Sequence, residues 1–179
     1  MRREEILELL RSTGALLDEP STLADGRQMP VHVRVPKLTQ FAPFNRRLCF
    51  EIVRHYLELD IHVVVAIDVA SIPVAVDIGR QLETRAIHLA STDADTLEHG
   101  FELYHGERVL LIIDRFDANE QIVAATRLVR RSGARLVGVG SLVDMRAGGR
   151  VETVRDITAI RLADDETTLA RLSSEARGE

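Results

Sequence analysis

Residues 106–114 read Gly-Glu-Arg-Val-Leu-Leu-Ile-Ile-Asp: a turn, an unbroken apolar run from Val109 to Ile113, then an aspartate. A short continuous apolar run is expected of a strand covered on both faces, whereas a strand with one wet face alternates. The chain on either side repeats the pattern. Upstream lie IHVVVAI (61–67) and RAIHLA (85–90); downstream lie RLVGVGSLVD (135–144) and ITAIRL (157–162). Helical periodicity fills the gaps over 72–83 and 118–131, with a terminal helix over 164–176 opened by Asp164 or Asp165. Strands alternating with helices predict an α/β fold, a parallel sheet core with helices on both faces.

Toward the N-terminus the pattern loosens. Ile6, Leu9 and Leu10 share one face of a helix over 3–12, stopped by Gly14. QMPVHVRV (28–35) alternates from Val31 to Val35 as a half-buried strand does. After Pro36 and Pro43 an amphipathic helix is expected over about 44–58, burying Leu48, Ile52, Val53 and Tyr56. No internal repeat, linker or low-complexity tract divides the 179 residues, so one domain is expected.

Composition narrows the function classes. The net charge of −5 gives no electrostatic footprint for nucleic acid, and Arg46-Arg47 and Arg130-Arg131 are isolated pairs on helix surfaces. Of 23 basic residues only one, Lys37, is a lysine. No apolar run approaches the roughly 18 residues of a membrane span, and MRREEILELL has no cleavable hydrophobic segment; the expectation is a soluble cytoplasmic protein. Cys49, the single cysteine, excludes an intramolecular disulfide and sits in the apolar stretch LCFEIV, as a buried thiol would. The six histidines show no metal spacing.

In open parallel sheets ligands sit beyond the C-terminal strand ends. Three loops therefore matter: those after Ile67, Leu89 and Ile113. The last has the spacing of a capping box, Asp117-x-x-Glu120, with Asp117 as N-cap of the following helix and Glu120 reaching back. Ser71 is placed to cap the helix at 72, with Pro73 in its first turn. The loop after Leu89 is read as a surface loop carrying Asp93, Asp95 and Glu98 and no Lys or Arg. Together with Asp68, Asp114 and Asp117 it forms an acidic rim able to attract a divalent cation or an amine.

HGFELYHGERVLLIID (99–114) resembles the segment that leads into the substrate-binding motif of the orotate phosphoribosyltransferases. GALL (14–17), DGR (25–27) and GARLVGVGSLVDMRAGG (133–149), with Asp144, resemble other segments of that family in the same order. The resemblance spans roughly residues 5–150. It implies a type I phosphoribosyltransferase-like fold with a small N-terminal hood (about 1–40), a core (about 41–179), and a homodimer.

The family's motif is two acids that hold ribose hydroxyls, then a Thr/Gly-rich loop whose amides cradle a phosphate at a helix start. Here only Asp114 of the acid pair is kept, followed by Arg115. The loop positions are Asp117, Ala118, Asn119, Glu120 and Gln121. Side chains replace glycines where backbone must approach phosphate. Asp117 and Glu120 also put carboxylates where a dianion would sit. Two unit charges ~4 Å apart interact by about 4 kcal/mol at an effective dielectric of 20. The pyrophosphate loop of the family matches Asp68, Ala70 and Ser71, with its Gly-Gly pair replaced. Lysines and arginines that would bind pyrophosphate have no counterpart in 90–99, and Lys37 lies far along the chain from that stretch.

The expectation is an orotate phosphoribosyltransferase-like protein with a degraded phosphoribosyl pyrophosphate site, acting as a non-catalytic binding or regulatory dimer for a small molecule, with no cofactor. The alternative is an active glycosyltransferase of nucleotide metabolism, with Asp114 on the ribose, Arg115 on phosphate and Mg²⁺ accompanying phosphoribosyl pyrophosphate. Asp117 also falls where purine-specific relatives carry a proton-accepting aspartate.

Overall fold

The computed structural model describes residues 1–23, 26–90, 93–98, 100–117, 120–146 and 155–162, with backbone only for 93–95. The N-terminal part runs through helix α1 (Arg3–Ser12), short strands β1 (Leu16–Leu17), β2 (Ser21–Thr22), β3 (Gln28–Met29) and β4 (His32–Val33), and helix α2 (Pro36–Thr39). Helix α3 (Ala42–Val53), strand β5 (Val63–Ala66), helix α4 (Ile72–Gln81), and strands β6 (Arg85–Ala90), β7 (Asp93–Leu97) and β8 (Arg108–Phe116) follow. Helix α5 (Glu120–Arg131), strand β9 (Arg135–Asp144) and strand β10 (Arg155–Arg161) complete the described elements.

The expected sheet forms, with strand order β10-β9-β8-β5-β6-β7. All neighbours are parallel except β6 and β7, which pair antiparallel through Leu89↔Leu97 and Ala90↔Asp93. Both faces are covered, and the strands show why their sequences read as continuous apolar runs. In β5 and β8, Val64, Ala66, Leu110 and Ile112 join the core beneath α3 and α4. Val63, Val65, Val109, Leu111 and Ile113 join Ile122, Ala125 and Val129 of α5 on the other face. Successive side chains of a strand point to opposite faces, and here each finds a helix.

The N-terminal residues have no separate core. Ile6, Leu10, Val31, Val33, Val35 and Leu38 belong to the same cluster as Leu48, Ile52, Val64 and Ile160. Backbone geometry follows the sequence closely at α1, β6 and β9. The stretch 28–35 departs from it: β3 and β4 are interrupted at Pro30, which lacks the N–H a ladder needs, although the burial alternation survives through Val31, Val33 and Val35. Helix α3 starts at Ala42 and ends at Val53; Tyr56 is buried from the turn beyond it.

Two readings are corrected. The stretch after Leu89, expected to be a surface loop, forms edge strand β7. Strand β8 does not end at Asp114 but continues to Phe116, pairing Arg115↔Val143 and Phe116↔Asp144, because Phe116 is an apolar residue that buries almost completely. Helix α5 is described from Glu120; the expected start at 118 and its Asp117 cap turn on residues outside the described ones. The terminal helix expected over 164–176 lies outside the described residues, as do Ala118 and Asn119.

Candidate functional site

The chain leaves β5 toward β6 on one side and later returns as β8 on the other, so the order reverses between β5 and β8. This is the switch point at which open α/β sheets leave a crevice. A cleft of about 760 Å³ opens there. Its floor is Asp68 and Ala70 after β5, with Ile113, Asp114, Arg115, Asp117 and Gln121 from the end of β8 and the start of α5. Its other wall comes from β4 and α2: His32, Arg34, Pro36, Lys37 and Gln40 among them. Six sequence-identified positions thus converge in one place. Ser71, Glu120, Ala118 and Asn119 do not line it as described: Ser71 is buried, Glu120 is exposed, and the other two are outside the described residues.

The sequence reading missed the basic wall. Lys37 lies far along the chain from the other loops, yet α2 brings it against the same cleft as Asp68 and Asp114. The available signal was the alternation over 31–35. With Val31, Val33 and Val35 buried, His32 and Arg34 must face away from the core.

The loop after β5 is closed on itself. Asp68 accepts the Ser71 N–H at 2.7 Å through Oδ1, and Ser71 Oγ accepts the Asp68 N–H at 3.1 Å. The Ser71 hydroxyl donates to the Asp68 carbonyl at 2.8 Å. Ser71 does occupy the N-cap position of α4, but its hydroxyl caps nothing there, being turned back into this loop. Two amides that an open loop would present to an anion are therefore already satisfied.

The end of β8 is closed in the same manner. Asp114 accepts the Arg115 N–H at 2.7 Å. Arg115 donates through one terminal nitrogen to the Val33 carbonyl at 2.9 Å and through the other to Asp117 Oδ2 at 2.7 Å. The guanidinium thus ties the sheet to β4 and neutralises Asp117. Burial, and next the charge of Asp68, push the Asp114 carboxyl up to about 6, with Asp117 adding to the repulsion; the Arg115 amide and guanidinium only partly oppose this. Asp93 and Asp95 lie in β7, separated from β5 by β6, so the acidic rim is divided. Among the described residues no three His, Cys, Asp or Glu side chains stand close enough to hold a metal ion.

Asp144, at the end of β9, is fully buried and committed to structure. Its carboxylate takes Arg146 Nε at 2.9 Å, Arg146 Nη2 at 2.7 Å and Arg161 Nε at 3.1 Å. Cys49 is buried, and burial holds its thiol well above the ordinary range, as expected of an inert core cysteine.

A mostly parallel sheet with this cleft at its switch point is the architecture of the type I phosphoribosyltransferases. The chain superposes on the orotate phosphoribosyltransferase of Aeropyrum pernix with a TM-score of 0.74 at 18% identity, covering 96% of this chain and 99% of that one. Against the UMP synthase of Leishmania donovani the TM-score is 0.79 at 19% identity; the match covers 97% of this chain and spans only 38% of the synthase. In sequence it is 29% identical over 161 residues to the orotate phosphoribosyltransferase of Chlorobium phaeobacteroides, covering 89% of this chain and 83% of that protein. No protein-family model matches the chain. By sequence and fold together, the chain is a homologue of the orotate phosphoribosyltransferases.

No helix among the described residues is long and apolar enough to cross a membrane.

Proposed function

We propose that this protein is a diverged, non-catalytic member of that lineage, a cytoplasmic binding or regulatory homodimer that takes a small ligand in the cleft without turning it over. One observation carries the reading: the loops at the ends of β5 and β8 satisfy their own donors and charges. The Asp68–Ser71 turn consumes two amides, and Arg115 is held between Val33 and Asp117. Catalysis of phosphoryl or pyrophosphate departure needs preorganised donors aimed at the developing charge. Here the donors of the floor loops are engaged, and Asp68 and Asp114 bring carboxylates to the same floor.

Mg²⁺ in this family arrives with phosphoribosyl pyrophosphate. Asp68 and Asp114 offer the hard oxygens such a cation accepts, but the pyrophosphate that carries it would face those acids and two occupied amides. The residues therefore fit the cation and not its anionic partner, and no catalytic step is derived through it.

Calorimetric titration with phosphoribosyl pyrophosphate and Mg²⁺ tests the reading. It predicts no saturable heat at up to millimolar ligand that depends on Lys37 of this cleft, and no conversion of orotate above the trace a host contaminant supplies. Micromolar binding that Lys37→Gln weakens, or turnover within about tenfold of the median enzyme rate of ~10 s⁻¹, would overturn it. The position of Lys37 favours a second reading, an active glycosyltransferase in which the basic wall replaces the missing loop cations. Loss of turnover in Lys37→Gln would then accompany that binding. Light scattering checks the dimer: a mass near one chain's 20.0 kDa at micromolar concentration would contradict it.

A further inference from the structure

A second cleft, of about 600 Å³, lies between α3 and α4 and shares no lining residue with the first. Ala42, Pro43, Arg46 and Arg47 of α3 line it with Asp77, Arg80 and Gln81 of α4. Three solvent-exposed arginines thus line one concavity of a protein whose net charge is −5. None of the three side chains makes an ion pair or hydrogen bond among the described residues. The one carboxylate present, Asp77, stands three residues before Arg80 on the same helix, a spacing at which they would pair. Its Oδ2 instead accepts Gln81 Nε2 at 3.0 Å, and Gln81 also donates to the Arg46 carbonyl at 3.1 Å. Gln81 therefore joins the two helices and holds the acid away from a direct pair with Arg80, so one carboxylate stands against three arginines in the cleft.

A further hydrogen bond joins the two helices. Asn45, buried on α3, donates to the Pro73 carbonyl in the first turn of α4 at 3.1 Å. The first turn of α3 contains no acidic residue and its N-cap makes no side-chain cap. Three cations against one carboxylate leave the cleft with a net positive charge, and planar guanidinium forks match the oxygens of phosphate and carboxylate in pairs. A concavity of this volume falls in the range of small-ligand sites.

We propose that the cleft between α3 and α4 is a binding site for a small, multiply charged oxyanion, held by Arg46, Arg47 and Arg80. The site is independent of the cleft at β5 and β8 and of whatever that cleft binds.

The test is calorimetric titration of the full chain with inorganic tripolyphosphate and, separately, citrate, at about 0.15 M salt, where long-range attraction between exposed charges is largely screened. Saturable one-to-one binding of either probe is expected. Tripolyphosphate binding at least tenfold tighter than citrate marks a phosphate ligand, and the reverse marks a polycarboxylate. The double variant Arg46→Gln/Arg80→Gln should weaken binding at least tenfold with an unchanged circular dichroism spectrum, while Lys37→Gln, in the other cleft, should leave it intact. If the double variant fails to fold, Arg46→Lys/Arg80→Lys keeps the charge and removes the fork, and should still bind at least threefold more weakly. Absence of binding, binding that survives these variants, or binding abolished by Lys37→Gln would each overturn the proposal. So would a double variant that alters only the oligomeric mass, which would make this face a subunit contact.

Discussion

Asp114 is a carboxyl group enclosed by β8 with two other acids nearby and one arginine turned mostly elsewhere. Its folded value, about 6, lies above its ordinary 3.8. The native state therefore holds this proton more tightly than the unfolded chain. The contribution of Asp114 to stability is greatest below about pH 4, falls as pH rises through 6, and then levels. The difference corresponds to about 2–3 kcal/mol at neutral pH. Asp114→Asn keeps an oxygen for the Arg115 N–H and removes the titration. Urea unfolding should show the variant more stable than the parent at pH 8 and equal to it near pH 4; equal midpoints at pH 8 would refute this. Arg115 and Asp117 make the complementary case. Asp117→Ala should cost ~1 kcal/mol, the scale of a charge-assisted bond that is partly wet, and Arg115→Ala somewhat more, since the Val33 tie is lost as well. The double variant should cost less than the sum of the two; strict additivity would mean that the pair is not formed in solution. The acids were legible in the sequence because their type and spacing announce them. The role of Arg115 was not, because its main partner, Val33, lies 82 residues earlier and is a backbone carbonyl.

Elements were legible where a buried run has one meaning. The apolar runs of β5, β8 and β9 each form a strand covered on both faces, with β8 continuing two residues past the expected end at Asp114. The stretch 93–97 was not legible: Asp-Ala-Asp-Thr-Leu has poor strand propensity, and the free edge of β6 supplies the ladder that makes it a strand. The glycines of β9 acquire a meaning only in three dimensions. A Cβ on Gly138 would stand 2.5 Å from the Tyr56 hydroxyl oxygen and 2.7 Å from the Arg155 carbonyl oxygen. That hydroxyl donates to the Val139 and Arg155 carbonyls, bridging β9 and β10. Gly138→Ala must displace this bridge and should destabilise the protein by about 1–3 kcal/mol, as overpacking does. A melting temperature equal to the parent's would show that the turn after α3 can yield.

At the scale of the molecule, the N-terminal 40 residues and the sheet share one hydrophobic cluster, and Arg27 and Arg115 tie them further through the Met145 and Val33 carbonyls. The segment that carries the basic wall of the cleft is therefore anchored in the fold's core through Val31, Val33, Val35 and Leu38. Calorimetry should give a single transition with matching calorimetric and van't Hoff enthalpies; an early, separate transition would contradict the shared core. The self-satisfied loops also have a historical consequence. Changing Asp68 alone strands the Ser71 N–H, and changing Ser71 alone strands the Asp68 N–H beside an unpaired acid. Removing Arg115 leaves Asp117 without its counter-charge. Each single substitution at these positions thus costs stability before any ligand can compensate. Selection acting one change at a time therefore keeps such loops more easily than it opens them, because Asp68 with Ser71 and Arg115 with Asp117 must change in pairs.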